Sequence, residues 1–142
     1  MKHPSSDRTI TSQLTIPSDC QEMAKVDEFL ETFLSRNDFQ EAEADDIVVA
    51  VQEGVTNAII HGNDQSIQKQ VNVVLQLSKF QLKITVTDHG QGFDMDAIAD
   101  PTDPENRLKS NGRGMMFIRT FMDEVISQIG PNGHELIMVR NR

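Results

Sequence analysis

The sequence predicts an α+β fold, a two-layer sandwich in which helices cover one face of a largely antiparallel sheet. Three observations carry that prediction. Two stretches, Gln70–Ser78 and Gln81–Asp88, alternate apolar and polar residues with a short turn at Lys79-Phe80 between them, the pattern of an antiparallel hairpin. Two earlier stretches repeat apolar residues at helical spacing. A second hairpin, Glu124–Ile129 and His134–Arg140, closes the chain around Pro131-Asn-Gly133.

Each element has its own local reason. Ile10, Leu14 and Ile16 share one parity, predicting a strand that Pro17 ends. Ser18 and Gln21 have capping-box spacing, after which Met23, Val26, Leu30 and Phe33 mark a first helix running to the Ser35-Arg-Asn-Asp38 loop. The second helix begins in the acidic Glu41–Asp46 turn, favourable at the positive end of a helix dipole. It runs to about His61, where Gly62-Asn63-Asp64 stops it. A third helix is expected from about Arg113 to Met122. Residues 94–111 hold two prolines, many acids and no period, so they read as a long connection of the kind that serves as a lid. Residues 1–8 are read as a flexible tail, and 9–142 as a single domain.

Composition narrows the function classes. The chain has 142 residues, 37% hydrophobic and 25% charged, enough for one core. Thirteen Lys and Arg against twenty-two Asp and Glu leave a formal charge of -9, which argues against direct nucleic-acid binding. The single cysteine, Cys20, has no internal disulfide partner. There is no run of apolar residues long enough for a membrane span or export signal, so the expected location is cytoplasmic.

Three segments carry chemistry. In Val51-Gln-Glu-Gly-Val-Thr-Asn-Ala-Ile-Ile-His-Gly-Asn63, the residues Glu53, Asn57 and His61 stand at successive i, i+4 steps, about 40° apart on a helix. Ile47, Val48, Val51, Val55, Ala58 and Ile59 form a separate apolar face. A solvated polar stripe is the simplest account of Glu53 and Asn57. Against it stand Ala50 and Gly54 beside the stripe, small residues that permit close approach, since a mid-helix Gly costs about 1 kcal/mol against Ala.

In Asp88-His-Gly-Gln-Gly-Phe93, Asp88 has the parity of Leu82, Ile84 and Val86 and so points to the buried face. A buried carboxylate needs hydrogen-bond donors, and the exocyclic amino group of a purine is one. Gly90 and Gly92 let the backbone turn tightly, which serves either a strand exit or close approach to a flat ligand.

In Asn111-Gly-Arg-Gly-Met-Met-Phe-Ile118, Gly112 and Gly114 open the third helix, whose free N–H groups would face a phosphate. A flexible helix start explains them equally. A triphosphate meeting so acidic a chain calls for Mg²⁺, and Asn57 is a suitable neutral ligand, leaving Glu53 free as a general base. His61 reads as a helix-end cap, Lys109 as a solvated cation, and Met115, Met116 and Met122 as core.

Taken in order, the three segments resemble the Bergerat-type, histidine kinase-like ATP-binding fold. Glu53-Gly-Val-Thr-Asn-Ala-Ile-Ile-His-Gly62 and Gly112-Arg-Gly-Met-Met-Phe-Ile-Arg-Thr-Phe-Met-Asp-Glu-Val125 resemble more closely the anti-sigma-factor serine kinases of bacterial partner-switching systems, over residues 9 to 140. The resemblance implies that Glu53 is the catalytic base, Asn57 the magnesium ligand, Asp88 the adenine-reading carboxylate, and Gly90, Gly92, Gly112 and Gly114 nucleotide-binding glycines. Residues 94–111 correspond to the family's ATP lid. Arg113 replaces a residue that is often uncharged there and takes no family role. Sensor histidine kinases fit less well, because they usually carry Asn where Glu53 stands. The implied function is ATP- and Mg²⁺-dependent phosphorylation of a STAS-domain anti-anti-sigma protein, with sequestration of a sigma factor, as a homodimer. The alternative is a partner-switch module of the same fold with weak or no kinase activity, or one controlling a non-sigma output.

Overall fold

The computed structural model describes residues 8–90 and 110–142, and the side chains from residue 115 onward in the second segment. The expected tail up to residue 7, Gly92, Lys109 and most of the expected lid lie outside the described residues, as does the side chain of Arg113. Five strands form one sheet in the order β1-β2-β3-β5-β4, with every neighbouring pair antiparallel. The strands are β1 (Ile10–Pro17), β2 (Gln70–Leu77), β3 (Gln81–Asp88), β4 (Glu124–Gly130) and β5 (Gly133–Asn141). The helices are α1 (Met23–Arg36), α2 (Glu41–Asn57) and α3 (Ser110–Phe121).

The alternation read from the sequence is the burial pattern of the sheet. Val71, Val73, Leu75, Leu82, Ile84, Val86, Leu136 and Met138 are all buried on the inner face. Against them pack Val26, Leu30 and Leu34 of α1, Ile47, Val51 and Val55 of α2, and Met115 and Ile118 of α3. Met116 is 40% exposed, so of the three methionines read as core only Met115 and Met122 are buried. One residue of offset, about 100° around the helix, explains it: Met115, Ile118 and Met122 share the inward stripe, and Met116 does not.

Two local details depart from expectation. Ser18 does not cap α1. Asp19 accepts from the Gln21 N–H (2.9 Å), capping a 3-10 turn at Cys20–Glu22 that precedes the helix. The Ser18 hydroxyl is buried and donates instead to the Lys69 carbonyl (2.6 Å), across the sheet margin.

Gly54 also has a different reason from ligand approach. A Cβ there would stand 3.1 Å from Met138 Cε and 3.2 Å from Leu136 Cδ2, so the missing side chain lets α2 settle on β5. Its helix-propensity cost is offset by sheet packing. Arg140 then ties the layers together, donating to Glu43 at the start of α2 (3.1 Å) and to the Phe121 carbonyl at the end of α3 (2.7 Å).

Candidate functional site

The site lies where the end of α2 meets the end of β3. The last turn of α2 widens into a π-helical turn, Ala58–Gly62, closed by the Asn63 N–H bonding the Ala58 carbonyl at 2.8 Å. Such turns insert an extra residue per turn and recur at functional sites. The regular α-helical spacing expected from the sequence therefore holds between Glu53 and Asn57, while the step from Asn57 to His61 is spanned by the wider π turn.

Asn57 is fully buried. Its Nδ2 lies 3.0 Å from Met115 Sδ on α3, while its Oδ1 is buried and has no hydrogen-bond partner. A buried amide oxygen left open costs about 1–3 kcal/mol unless something supplies a donor or a cation. One turn earlier Glu53 is half-buried, and desolvation raises its carboxyl pKa above the ordinary value. His61 is also half-buried, and desolvation lowers its pKa, favouring the neutral imidazole.

Asp88 is 1% exposed, as its strand parity requires, and each of its oxygens has a partner. Its Oδ1 accepts from the Gly90 N–H (2.8 Å), and its Oδ2 lies 3.0 Å from His134 Nδ1. His134 is itself buried, and its Nε2 lies 2.6 Å from the hydroxyl of Ser127.

Glycines make this packing possible. A Cβ at Gly62 would lie 2.3 Å from Asp88 Cγ, one at Gly90 2.0 Å from the Gly62 carbonyl oxygen, and one at Gly133 2.1 Å from the Asp88 carbonyl oxygen. Gly133 also has φ +130°, a conformation open mainly to glycine.

Asn63 locks the corner. Fully buried, it donates to the Ser18 hydroxyl (2.8 Å) and the Gln70 carbonyl (3.0 Å) and accepts from the His89 N–H (2.8 Å). One side chain thereby pins the ends of β1 and β3 and the beginning of β2.

Gly112 and Gly114 lie near the start of α3, which begins at Ser110, three residues before the expected position. Gly112 is among the first four residues, whose N–H groups have no intrahelical acceptor, and Gly114 follows directly. Packing of Met115 and Ile118 outweighs the low helix propensity of the two glycines. A separate cavity of about 570 Å³ opens between β1 and α1, lined by Leu14, Phe29, Phe33 and Arg36, and contains none of these residues.

Of the candidates expected from the sequence, Asn57, Glu53, Asp88 and Gly90 stand at neighbouring ends of α2 and β3. Sequence reading did not find His134 or Asn63, and it gave Gly62 only the role of ending a helix. The adjacency of β3 and β5 that brings His134 to Asp88 has no local signal. Asn63, directly after a helix-ending Gly, had the weak signal of a turn amide.

A family model for the histidine kinase-like ATPase domain matches residues 16–140. A serine-protein kinase RsbW of Halalkalibacterium halodurans is 31% identical over 121 residues, spanning 81% of this chain and 74% of that protein. An anti-sigma F factor of Bacillus thuringiensis is 36% identical over 97 residues, spanning 66% and 65%. The RsbU and RsbW domains of a Mycobacterium tuberculosis protein superpose with TM-score 0.67 at 18% identity, covering 94% of this chain and 33% of that one, a likeness of fold.

Proposed function

The chain belongs to the histidine kinase-like ATPase family and to its serine/threonine protein kinase branch, and from that membership we propose that it transfers the γ-phosphoryl group of ATP to a serine of a STAS-domain anti-anti-sigma protein and sequesters a sigma factor. The observation that carries the catalytic reading is Asn57 Oδ1, a buried acceptor without a partner, one helical turn from a carboxylate that burial makes more basic.

Mg²⁺ fits that acceptor: Asn57 would hold it as a neutral ligand, and bound Mg²⁺ supplies neutralisation of the phosphate charge that builds up during transfer. Asp88 accepts a hydrogen bond from the adenine amino group. A carboxylate has about four lone-pair positions, and the two contacts from Gly90 and His134 leave room for a further donor. Gly90 keeps the strand exit thin beside the base, Gly92 is assigned to the same nucleotide-binding set from the family resemblance, and the first N–H groups of α3, that of Gly112 among them, face the phosphates, with Gly114 next to them.

Glu53 takes the proton from the serine hydroxyl as the oxygen–phosphorus bond forms and the bond to ADP breaks. A carboxylate in this role is most effective when its pKa is raised toward working pH, the direction desolvation drives it here.

The regulatory half of the proposal follows the anti-sigma F relative, and the acidic charge of -9 suits a basic or amphipathic partner better than DNA. A homodimer is supported by the outer sheet face, where Val74, Thr85, Ile137 and Ile126 stand in one cross-strand row and Ile126 is 43% exposed. No helix among the described residues is long and apolar enough to cross a membrane, and the proposed location is the cytoplasm.

The test is incubation with γ-labelled ATP, Mg²⁺ and each STAS-domain protein of the native cell, with sigma-factor capture measured in parallel. Label on a partner serine is expected. Nucleotide binding without label on any of them would favour a partner-switch module lacking kinase activity, and capture of no sigma factor would move the output elsewhere.

A further inference from the structure

The Asp88 carboxylate does not stand alone: it ends a buried chain of hydrogen bonds that reaches the surface at the sheet edge. Register produces the chain. Asp88 and His134 are directly opposite across β3 and β5, and His134 is opposite Ile129 on β4, which places Ser127 diagonally two residues away on the same face. Asp88 and His134 are 1% and 2% exposed, while Ser127 is exposed on the edge strand.

We propose that His134, held by Ser127, is a positioning residue that fixes Asp88 for discrimination of adenine from 6-oxo purines; the proposal rests on the reading of Asp88 as the adenine-binding carboxylate. An ionised carboxylate is acceptor-only. Its orientation is set at both oxygens, by the Gly90 N–H at Oδ1 and by His134 Nδ1 at Oδ2, so the remaining lone pairs keep one direction.

Ser127 reinforces this at the far ring nitrogen. An acceptor-only carboxylate 3.0 Å from Nδ1 requires the proton on that nitrogen, which leaves Nε2 of the neutral ring as an acceptor, and the Ser127 hydroxyl 2.6 Å away is placed to donate to it and hold the ring in that tautomer. So held, Asp88 meets the 6-amino group of adenine as an acceptor meeting a donor. A carbonyl at that position would bring acceptor against acceptor, the arrangement that gives a polar site its rejecting power.

The experiment measures affinity for ATP and for inosine triphosphate, which carries a carbonyl in place of the amino group, in the wild type and in Asp88→Asn, His134→Phe, His134→Asn and Ser127→Ala. The ATP preference is expected to fall about tenfold in His134→Phe and about threefold in Ser127→Ala, the scale of one neutral hydrogen bond. His134→Asn, whose amide nitrogen occupies the place of Nδ1, is expected to retain most of it.

Equal losses for both nucleotides in His134→Phe would make His134 a packing residue and overturn the proposal. If His134→Phe fails to fold, an unchanged preference in Ser127→Ala overturns it. The underlying reading is tested separately: an unchanged preference in Asp88→Asn removes Asp88 from adenine recognition altogether. Loss of preference in Asp88→Asn with none in His134→Phe removes only the positioning role.

Discussion

The two halves of the site are built on opposite principles. Around Asp88 both carboxylate oxygens have donors, the facing imidazole is engaged at both nitrogens, and three glycines exclude any side chain that would loosen the fit. Around Asn57 the amide oxygen is buried and unanswered, and the neighbouring Glu53 and His61 are pushed by desolvation toward their neutral forms. Under the proposed function, the contrast separates recognition from chemistry. A carboxylate that reads a base benefits from being fixed before the ligand arrives. Groups that handle charge in the transition state gain from a dry environment whose remaining partners come with the substrate.

The contrast is sharpened most by Glu53→Ala. A general base contributes on the order of 10²–10⁴ in rate, so single-turnover transfer is expected to fall by that factor while ATP affinity stays within about twofold. A comparable loss of affinity would place Glu53 in binding instead of proton transfer.

Next in size is Asp88→Asn, in which an acceptor carboxylate becomes an amide that also offers N–H to His134. ATP affinity is expected to fall about 10- to 100-fold, the range for a buried hydrogen bond to a charged group, with a smaller change in thermal stability. Equal losses in titration calorimetry and melting would make Asp88 purely structural and erase the distinction between the two halves.

These two halves were unequally legible in the sequence. The Glu53 and Asn57 spacing is local, and α-helical geometry converts an i, i+4 step directly into proximity. The parity of Asp88 predicted its burial for the same reason, since alternation along β3 is also a local property. What holds Asp88 was not legible. His134 is 46 residues away and reaches Asp88 only because β5 inserts between β3 and β4, a choice of strand order that neither hairpin encodes by itself. The π turn at Ala58–Gly62 was hidden too, because its apolar run Ala58-Ile-Ile continues the helical pattern without interruption. Gly54 shows the reverse error. Its cost was visible in the sequence, but the compensation lies in the sheet below, where Met138 and Leu136 take the space.

Smaller effects test the packing side of the comparison. Gly62→Ala forces a Cβ to within 2.3 Å of Asp88 Cγ, where neither the strand end nor the helix end yields cheaply. Destabilisation of about 1–3 kcal/mol is expected from denaturant melts, with weakened ATP binding. Gly54→Ala is expected to change stability by less than about 1 kcal/mol. The gain in helix propensity is offset by contact with the flexible end of Met138, and transfer activity is unaltered. A selective loss of nucleotide binding in Gly54→Ala would return that glycine to the ligand-facing side.

The pH dependence of single-turnover phosphoryl transfer tests the central claim most directly. Glu53 accepts a proton only when ionised, and burial raises its pKa above the unperturbed 4.5, so ionisation is complete only at higher pH than for an exposed carboxylate. The wild-type rate is predicted to fall as pH drops through an apparent pKa above 4.5, and Glu53→Gln to be slow with that limb absent. A Glu53→Gln variant that transfers phosphate at the wild-type rate with the same acidic limb would contradict the account.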